Sequence, residues 1–236
     1  MSTQGTLYLI PTFLGDSIPQ EVLPAKVVQT VASLTHFIVE NEKSARKFIK
    51  QILPEKPQSE LVLYPLNKHT KTTEIPTFLE PCQRGISIGI LSEAGCPGIA
   101  DPGAEIVRLA HRNHIKVVPL VGPSSILLAM MASGMNGQSF AFNGYLPIDR
   151  QERRKELKQY ERKAIEQSQS QIFIETPYRN DKLLIELTEA LQPNTLLCIA
   201  CDITLPGEWI QTHPVSQWKK TKIDLQKRPA IFIIGR

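Results

Sequence analysis

Ile86-Ser87-Ile88-Gly89-Ile90-Leu91-Ser92-Glu93-Ala94-Gly95-Cys96-Pro97-Gly98-Ile99-Ala100-Asp101-Pro102-Gly103 is the stretch from which the fold of this 236-residue chain is read. Its apolar opening, Ile86 to Leu91, has the length and composition of a buried strand. The chain then breaks on small residues, glycine and proline, and a helical pattern starts near Ala104. In open α/β sheets ligands bind just outside the carboxyl ends of the strands, so a strand ending in such a loop is a candidate site. Glycine lets a backbone approach a ligand closely, and proline fixes the loop's course. Neither G-x-G-x-x-G nor G-x-x-x-x-G-K-[ST] is present, so the loop is not a phosphate cradle. Glu93 and Asp101 suit a ligand with hydroxyls or a positive charge better than a polyphosphate. The plain alternative is an ordinary strand-to-helix turn.

Working outward, the first half alternates. Thr6 to Pro11 reads as a strand, Val22 to Leu34 as a helix starting around Pro24, and Thr35 to Glu40 as a second strand ending on a carboxylate. Ser44 to Ile52 looks helical and Leu61 to Leu66 a short strand. Thr73 to Glu80 reads as part of a helix in which Pro76 marks a start or break. Glu105 to Arg112 is a helix and Ile115 to Leu120 a strand. Alternating β and α units of this kind imply a parallel, doubly wound sheet. Pro119-Leu120-Val121-Gly122-Pro123 is a stiff crossing segment, which predicts two α/β domains, 1–118 and 119–236. Ser124-Ser125 then caps a helix from Ile126 to Ser133. Phe140 to Phe142, Gln171 to Glu175, Leu196 to Thr204 and Ala230 to Ile234 are strand candidates, with Trp209 and Trp218 packed on or between them. This half alternates less strictly, so a mixed sheet is expected.

The composition is that of a globular chain, with 42% hydrophobic and 21% charged residues. No apolar run approaches the length of a membrane span. The opening Met1 to Gly5 has no basic region and no apolar signal core, so a cytoplasmic location is expected. The net charge of +4 permits a nucleic-acid partner without requiring one. Cys198-Ile199-Ala200-Cys201 spells C-x-x-C, but the segment reads as a buried strand. Residues three apart on a strand point to opposite faces and cannot share a metal. The four cysteines are therefore read as free thiols, and no metal site is expected.

Asp149 to Gln167 is strongly charged and reads as a solvated amphipathic helix with i,i+4 ion pairs. Arg153 and Arg154, near its start, are candidates for gripping an anionic substrate.

The order of motifs resembles the tetrapyrrole methylase superfamily of S-adenosylmethionine-dependent methyltransferases, within it the branch that methylates a ribose 2′-hydroxyl of small-subunit ribosomal RNA. Gly5 to Asp16 resembles the opening strand and its Pro/Gly loop. Val39 to Arg46 is similar to the branch's A-E-D-T-R segment, and Leu91 to Gly103 to S-D-A-G-T-P-x-I-S-D-P-G. Val121 to Ile126 is similar to P-G-P-S-A. Phe142 to Pro147, Arg153-Arg154 and Glu175-Thr176-Pro177-Tyr178-Arg179 follow in the expected order, so the resemblance covers nearly the whole chain. It implies two α/β domains with the active cleft between them, a homodimer, and S-adenosylmethionine held mostly by loop backbone. The cofactor-binding residues it implies are Glu93, Gly95, Ile99, Ala100, Asp101, Ser125, Ile126, Pro229 and Ala230. Asn41-Glu42-Lys43 stands where the branch has Asp-Thr-Arg, Glu93 where it has Asp, and Cys96 where it has Thr. The second-half R-E-L-T-K-x-x-E-E pattern becomes Cys201 to Trp209, and the sequence ends at Arg236, short of the extension many RNA-directed members carry. These departures bear on the acceptor more than on the cofactor.

A methyl group on a sulfonium is already activated, so the enzyme chiefly aligns nucleophile and methyl. A ribose hydroxyl acceptor calls for a proton acceptor, and Glu40, Glu93, Asp101 and Glu175 are the candidates, each equally suited to hold a ribose hydroxyl of the cofactor or to cap a helix. A tetrapyrrole carbon is itself nucleophilic and calls for arginines on its carboxylates. Arg153, Arg154 and Arg179 suit either acceptor. His69 and His213 are further candidates for polar cleft residues, with surface or packing roles the plainer reading. The expected partner is ribosomal RNA or the small ribosomal subunit; a small-molecule acceptor, or a cofactor-binding protein without catalysis, are the alternatives.

Overall fold

All five strands of the first sheet run parallel, as the alternation of strands and helices requires. They are β1 (Thr6–Ile10), β2 (His36–Val39), β3 (Val62–Pro65), β4 (Ile88–Leu91) and β5 (Lys116–Pro119), in the order β3-β2-β4-β1-β5. The computed structural model describes residues 4–236; residues 1–3, on which part of the reading of Met1 to Gly5 falls, lie outside the described residues. The chain divides into two compact units, one ending at Ser124 and one spanning Ser125–Arg236. Pro119 is still the last residue of β5, so the crossing segment begins inside the first sheet.

A parallel sheet is stable only with both faces covered. The helices here are α1 (Pro19–Val22), α2 (Ala25–Ser33), α3 (Glu42–Ile52), α4 (Glu80–Gln83) and α5 (Ala104–Arg112). Ile10, Phe37, Val39 and Leu91 pack with Val27 and Val31 of α2 and with Ala45, Phe48 and Ile49 of α3. Leu7, Ile38, Ile88 and Ile90 form a separate core with Cys82 of α4 and with Ile106 and Ala110 of α5. Neighbouring strand residues point to opposite faces, so the two cores sort by the period of two. The segment read as a helix over Thr73 to Glu80 is instead a 3-10 turn, Ile75–Leu79, followed by α4; Pro76 and Pro81 restart it twice.

The strand order places the site. β1 and β4 are neighbours, but β1 connects towards β2 and β4 towards β5. Right-handed crossovers then send the two connections to opposite faces, which opens a crevice beyond the strands' carboxyl ends.

The second unit holds β6 (Phe140–Tyr145), β7 (Ser170–Ile174), β8 (Leu196–Cys201), β9 (Trp209–Pro214) and β10 (Ala230–Gly235), in the order β6-β7-β10-β8-β9. Only β6 and β7 pair in parallel, so the sheet is mixed. β10 is buried along its whole length. Its helices are α6 (Ser125–Ala132), α7 (Arg150–Glu166), α8 (Asn180–Ala190) and α9 (Val215–Trp218). Leu157 and Ala164 of α7 and Leu183 and Leu187 of α8 pack on Phe173, Leu197, Ile199 and Phe232, with Phe173 and Phe232 stacked at 5.9 Å. Trp218 donates its indole N–H to the Leu197 carbonyl at 2.8 Å and meets Trp209 edge to face. β8 ends at Cys201 rather than Thr204, because Asp202 and Thr204 take positive φ and begin a turn closed by Leu205 N–H on the Asp202 carbonyl. α8 and β9 have no counterpart in the sequence reading. Among the described residues no helix is long and apolar enough to cross a membrane.

Candidate functional site

Three loops of the first unit converge at the carboxyl ends of its strands. The loop after β4 meets the loop after β1 through Gly95, whose carbonyl accepts from Thr12 N–H at 2.9 Å and from the Ser92 hydroxyl at 2.6 Å. Gly95 sits at φ +77°, a left-handed conformation that glycine adopts without penalty. The loop after β5 lies against the loop after β1: a Cβ at Gly122 would stand 2.2 Å from Pro11 Cγ. The Cys96 thiol donates to the Pro123 carbonyl at 3.5 Å. Beyond Gly95 the loop turns through positive φ again at Gly98 and at Ala100, the latter at +61°. A left-handed alanine costs about 1–2 kcal/mol, and the residue it presents is Asp101.

Asp101, Glu93 and Glu40 form one electrostatic group, drawn from the ends of β4 and β2. The Asp101 carboxyl is pushed up to about 6, first by burial and then by the negative charges of Glu40 and Glu93. Burial and Glu93 likewise push Glu40 up. The Oδ2 atom of Asp101 is buried and has no hydrogen-bond partner. Asp101 lines a small cavity with Glu40, Ile38, Leu66 and Ile90. Glu93 accepts from the Ser44 hydroxyl at 3.0 Å. Ser44 is held in the first turn of α3, where the Asn41 side chain accepts from the Lys43 and Ser44 N–H groups. Asparagine thus supplies the helix cap at the position where the resembled segment has aspartate. A second cavity beside Glu93 is lined by Thr12, Leu14, Asp16, Ser44 and Phe48.

This arrangement fits a ligand with cationic and hydroxyl groups. It offers an unpartnered carboxylate oxygen, further carboxylates, and backbone opened by glycines. Gly95, Ile99, Ala100 and Asp101 all lie on the loop, with Ile99 exposed. Ser44 and Thr12 are polar contributors that the sequence reading does not single out. Both lie inside segments it quotes, and only folding shows which hydroxyl meets which loop.

The remaining expected residues belong to the second unit. Glu175, just beyond β7, is buried; its Oε1 accepts from Thr176 N–H at 2.6 Å and from Arg179 Nε and Nη2 at 3.0 and 2.5 Å. Glu175 and Arg179 are thus each other's partner. Arg153 is also buried. Its Nε donates to Glu186 at 2.5 Å and its Nη1 to the carbonyls of Pro147 and Ile148 at 2.7 and 2.9 Å. This contact holds the Glu186 carboxyl below, and the Arg153 guanidinium above, their usual ranges. Arg153 therefore clamps α7 to α8 and to the end of β6, while Arg154 is exposed. Ser125 and Ile126 open α6, which packs against β10. Ala230 opens β10, and the Pro229 carbonyl accepts from Asp202 N–H at 3.0 Å. Arg228 braces that turn by donating to Asp202 at 2.7 Å and to the Gly207 carbonyl at 2.9 Å. The Asp202–Arg228 pair is a further contributor absent from the sequence reading; no local spacing relates its two residues. His69 is exposed, and His213 packs on Trp218.

A family model described as Tetrapyrrole (Corrin/Porphyrin) Methylases matches residues 7–218. Ribosomal RNA small subunit methyltransferase I of Vibrio cholerae is 28% identical over 213 residues, which are 89% of this chain and 69% of that protein. The protein of the same name from Escherichia coli O157:H7 is 29% identical over 239 residues, 99% of this chain and 78% of that one. The one from Bacillus subtilis is 33% identical over 190 residues, 80% of this chain and 61% of that one. Among solved structures, the methyltransferase CobJ superposes with a TM-score of 0.64 at 17% identity, covering 98% of this chain and 94% of that one. Uroporphyrin-III C-methyl transferase from Thermus thermophilus, complexed with S-adenosyl homocysteine, gives 0.58 at 18% identity and 98% coverage of both. At such identities these two establish the fold.

Proposed function

The chain belongs to the tetrapyrrole (corrin/porphyrin) methylase family, and from that premise we propose that it transfers a methyl group to a ribose 2′-hydroxyl of small-subunit ribosomal RNA. It is an S-adenosylmethionine-dependent methyltransferase. The observation that carries the acceptor is the name shared by relatives aligned along most of this chain. The unpartnered carboxylate of Asp101 supports it, because a hydroxyl nucleophile has a proton to lose and a nucleophilic ring carbon does not attack through one.

When bound, S-adenosylmethionine supplies a methyl already activated on sulfur, and the protein's contribution is alignment. The backbone of Ser92 to Gly103 would hold it, with Glu93 anchored by Ser44. The Asp101 carboxylate accepts the hydroxyl proton. The cofactor would supply the methyl group and retain the bonding pair on sulfur, while these residues align and deprotonate the acceptor hydroxyl. Burial, and after it the charges of Glu40 and Glu93, keep Asp101 basic enough for this at neutral pH, since all three resist its ionisation. Glu175 orients Arg179, and Arg154 is free to meet an anionic acceptor. An rRNA acceptor places the enzyme in the cytoplasm. The reading includes a homodimer, supported by α6, which is apolar on all sides and leaves Met131 79% exposed.

The test is transfer of labelled methyl from S-adenosylmethionine to small ribosomal subunits, to isolated ribosomal RNA and to tetrapyrrole precursors. Label is expected in RNA, as a ribose methyl that blocks alkaline cleavage at one linkage. Label in a tetrapyrrole with none in RNA overturns the acceptor.

A further inference from the structure

α7 carries more charge than its own fold can use. Its 17 residues include seven Lys or Arg against four Glu. The face turned to the core holds Arg153, Leu157, Glu161 and Ala164. One residue round the helix, Arg150, Arg154, Lys158 and Arg162 recur every fourth position, and all four are exposed. At 1.5 Å per residue they place a positive charge about every 6 Å along a line of about 18 Å. Like charges at i,i+4 weaken a helix, so this row is unfavourable to α7 taken alone. Arg150 is answered by Glu189 at 3.0 Å. Arg154, Lys158 and Arg162 have no ion pair among the described residues.

The row borders two adjoining grooves between α7 and α8. One is lined by Arg150, Arg154, Leu157 and Ala190, the next by Lys158, Arg162, Ala190 and Gln192. The acids along this seam are engaged: Glu186 by Arg153, Glu189 by Arg150, and Glu161 by the Gln192 N–H and the Thr195 hydroxyl. Glu166 remains at the far end. The near end is tied by Arg153 to the carbonyls after β6, and Arg153 feels the charge of Glu175. The row thus starts at the end of the sheet where Glu175 and Arg179 lie and runs away from it.

We propose that this face of α7 is a rail for the phosphodiester backbone of the RNA acceptor, with Arg154, Lys158 and Arg162 each taking a phosphate. Guanidinium and ammonium groups suit phosphate oxygens, and phosphate contacts position a nucleic acid without reading its bases. The inference rests on the RNA reading above.

The test compares the full chain with R154Q/K158Q/R162Q, and with K219Q/K220Q/K222Q as an equal charge loss at exposed lysines elsewhere in the same unit. Binding of a small-subunit ribosomal RNA fragment is measured from 50 to 200 mM salt, with methyl transfer to the same RNA and calorimetry for S-adenosylmethionine. The α7 triple should shallow the slope of log K against log salt by about 2, because three phosphates of a single strand are no longer neutralised, so that the wild type loses about twentyfold more affinity over that range. KM for RNA should rise with kcat and cofactor affinity unchanged. An α7 triple of native circular dichroism with unchanged slope and KM overturns the rail while leaving the RNA reading intact. Equal effects from both triples overturn it in favour of diffuse charge. A wild type that transfers no methyl to RNA overturns the acceptor reading and the rail together.

Discussion

Asp101 combines a cost to the fold with the role of proton acceptor proposed above. Its carboxyl ionises near pH 6 in the folded chain rather than at its ordinary 3.8, so between about pH 4 and 6 the folded state binds more protons than the unfolded state. Stability therefore falls as pH rises through that window, and the deficit persists at neutral pH. Asp101→Asn, which cannot ionise, should raise the thermal midpoint at pH 7 by about 2–4 °C, the shift that roughly 1 kcal/mol gives a chain of this size. The same change should lower methyl transfer by about 10²–10⁴-fold and remove the rise in rate through pH 6, as loss of a general base does. An unshifted midpoint together with full activity would place the proton acceptor elsewhere. Gly95 offers a second residue-scale test. Its carbonyl joins two loops and its φ is +77°, so Gly95→Trp should abolish S-adenosylmethionine binding by calorimetry while far-UV circular dichroism stays native. Unchanged affinity would move the cofactor off this loop. Glu40, Glu93 and Asp101 are all legible as carboxylates at strand ends. Their separation into a Glu93 anchored by Ser44 and a buried, protonatable Asp101 is not, because it depends on burial that the neighbouring loops create.

At the scale of the element, α7 shows how a helix divides adjacent arginines. Successive residues lie about 100° apart around a helix axis, which sends Arg153 inward to Glu186 and leaves Arg154 in solvent. The side chains of that pair are 8% and 11% exposed. Arg153→Met should cost about 3–5 kcal/mol in urea unfolding, because Glu186 is left buried and unpaired. Arg154→Gln should change stability by less than about 0.5 kcal/mol. Similar costs for the two would remove the distinction between clamp and ligand. From sequence both arginines look like acceptor ligands, since the inward face of α7 itself contains Arg153 and Glu161 and only Leu157 and Ala164 mark its phase. The same difficulty hides β9, an edge strand reading Trp-Ile-Gln-Thr-His-Pro with no apolar alternation.

Across the whole molecule, the four cysteines record how the cores close. Cys82, Cys198 and Cys201 are buried, and burial pushes the thiols of Cys82 and Cys201 up to about 11. A thiol reagent at pH 8 should modify at most Cys96 in the native chain, slowly, and all four after denaturation; rapid loss of two or more native thiols would contradict the packing. The sequence by itself determined what local pattern can carry. The period of strand and helix specified a parallel first sheet, the composition after Leu91 marked a Gly/Pro loop as the candidate site, and the motif order named the family. Only the tertiary structure decided the order β3-β2-β4-β1-β5, which makes β1 and β4 neighbours and opens the crevice beside Asp101. It alone decided that β10 runs antiparallel to β7 and β8, that Arg153 is a clamp, and that Glu40 comes within electrostatic reach of Asp101. Local periodicity says which face of an element is apolar. Which elements then become neighbours, and which charges lose their water, is settled by packing between residues far apart in the chain.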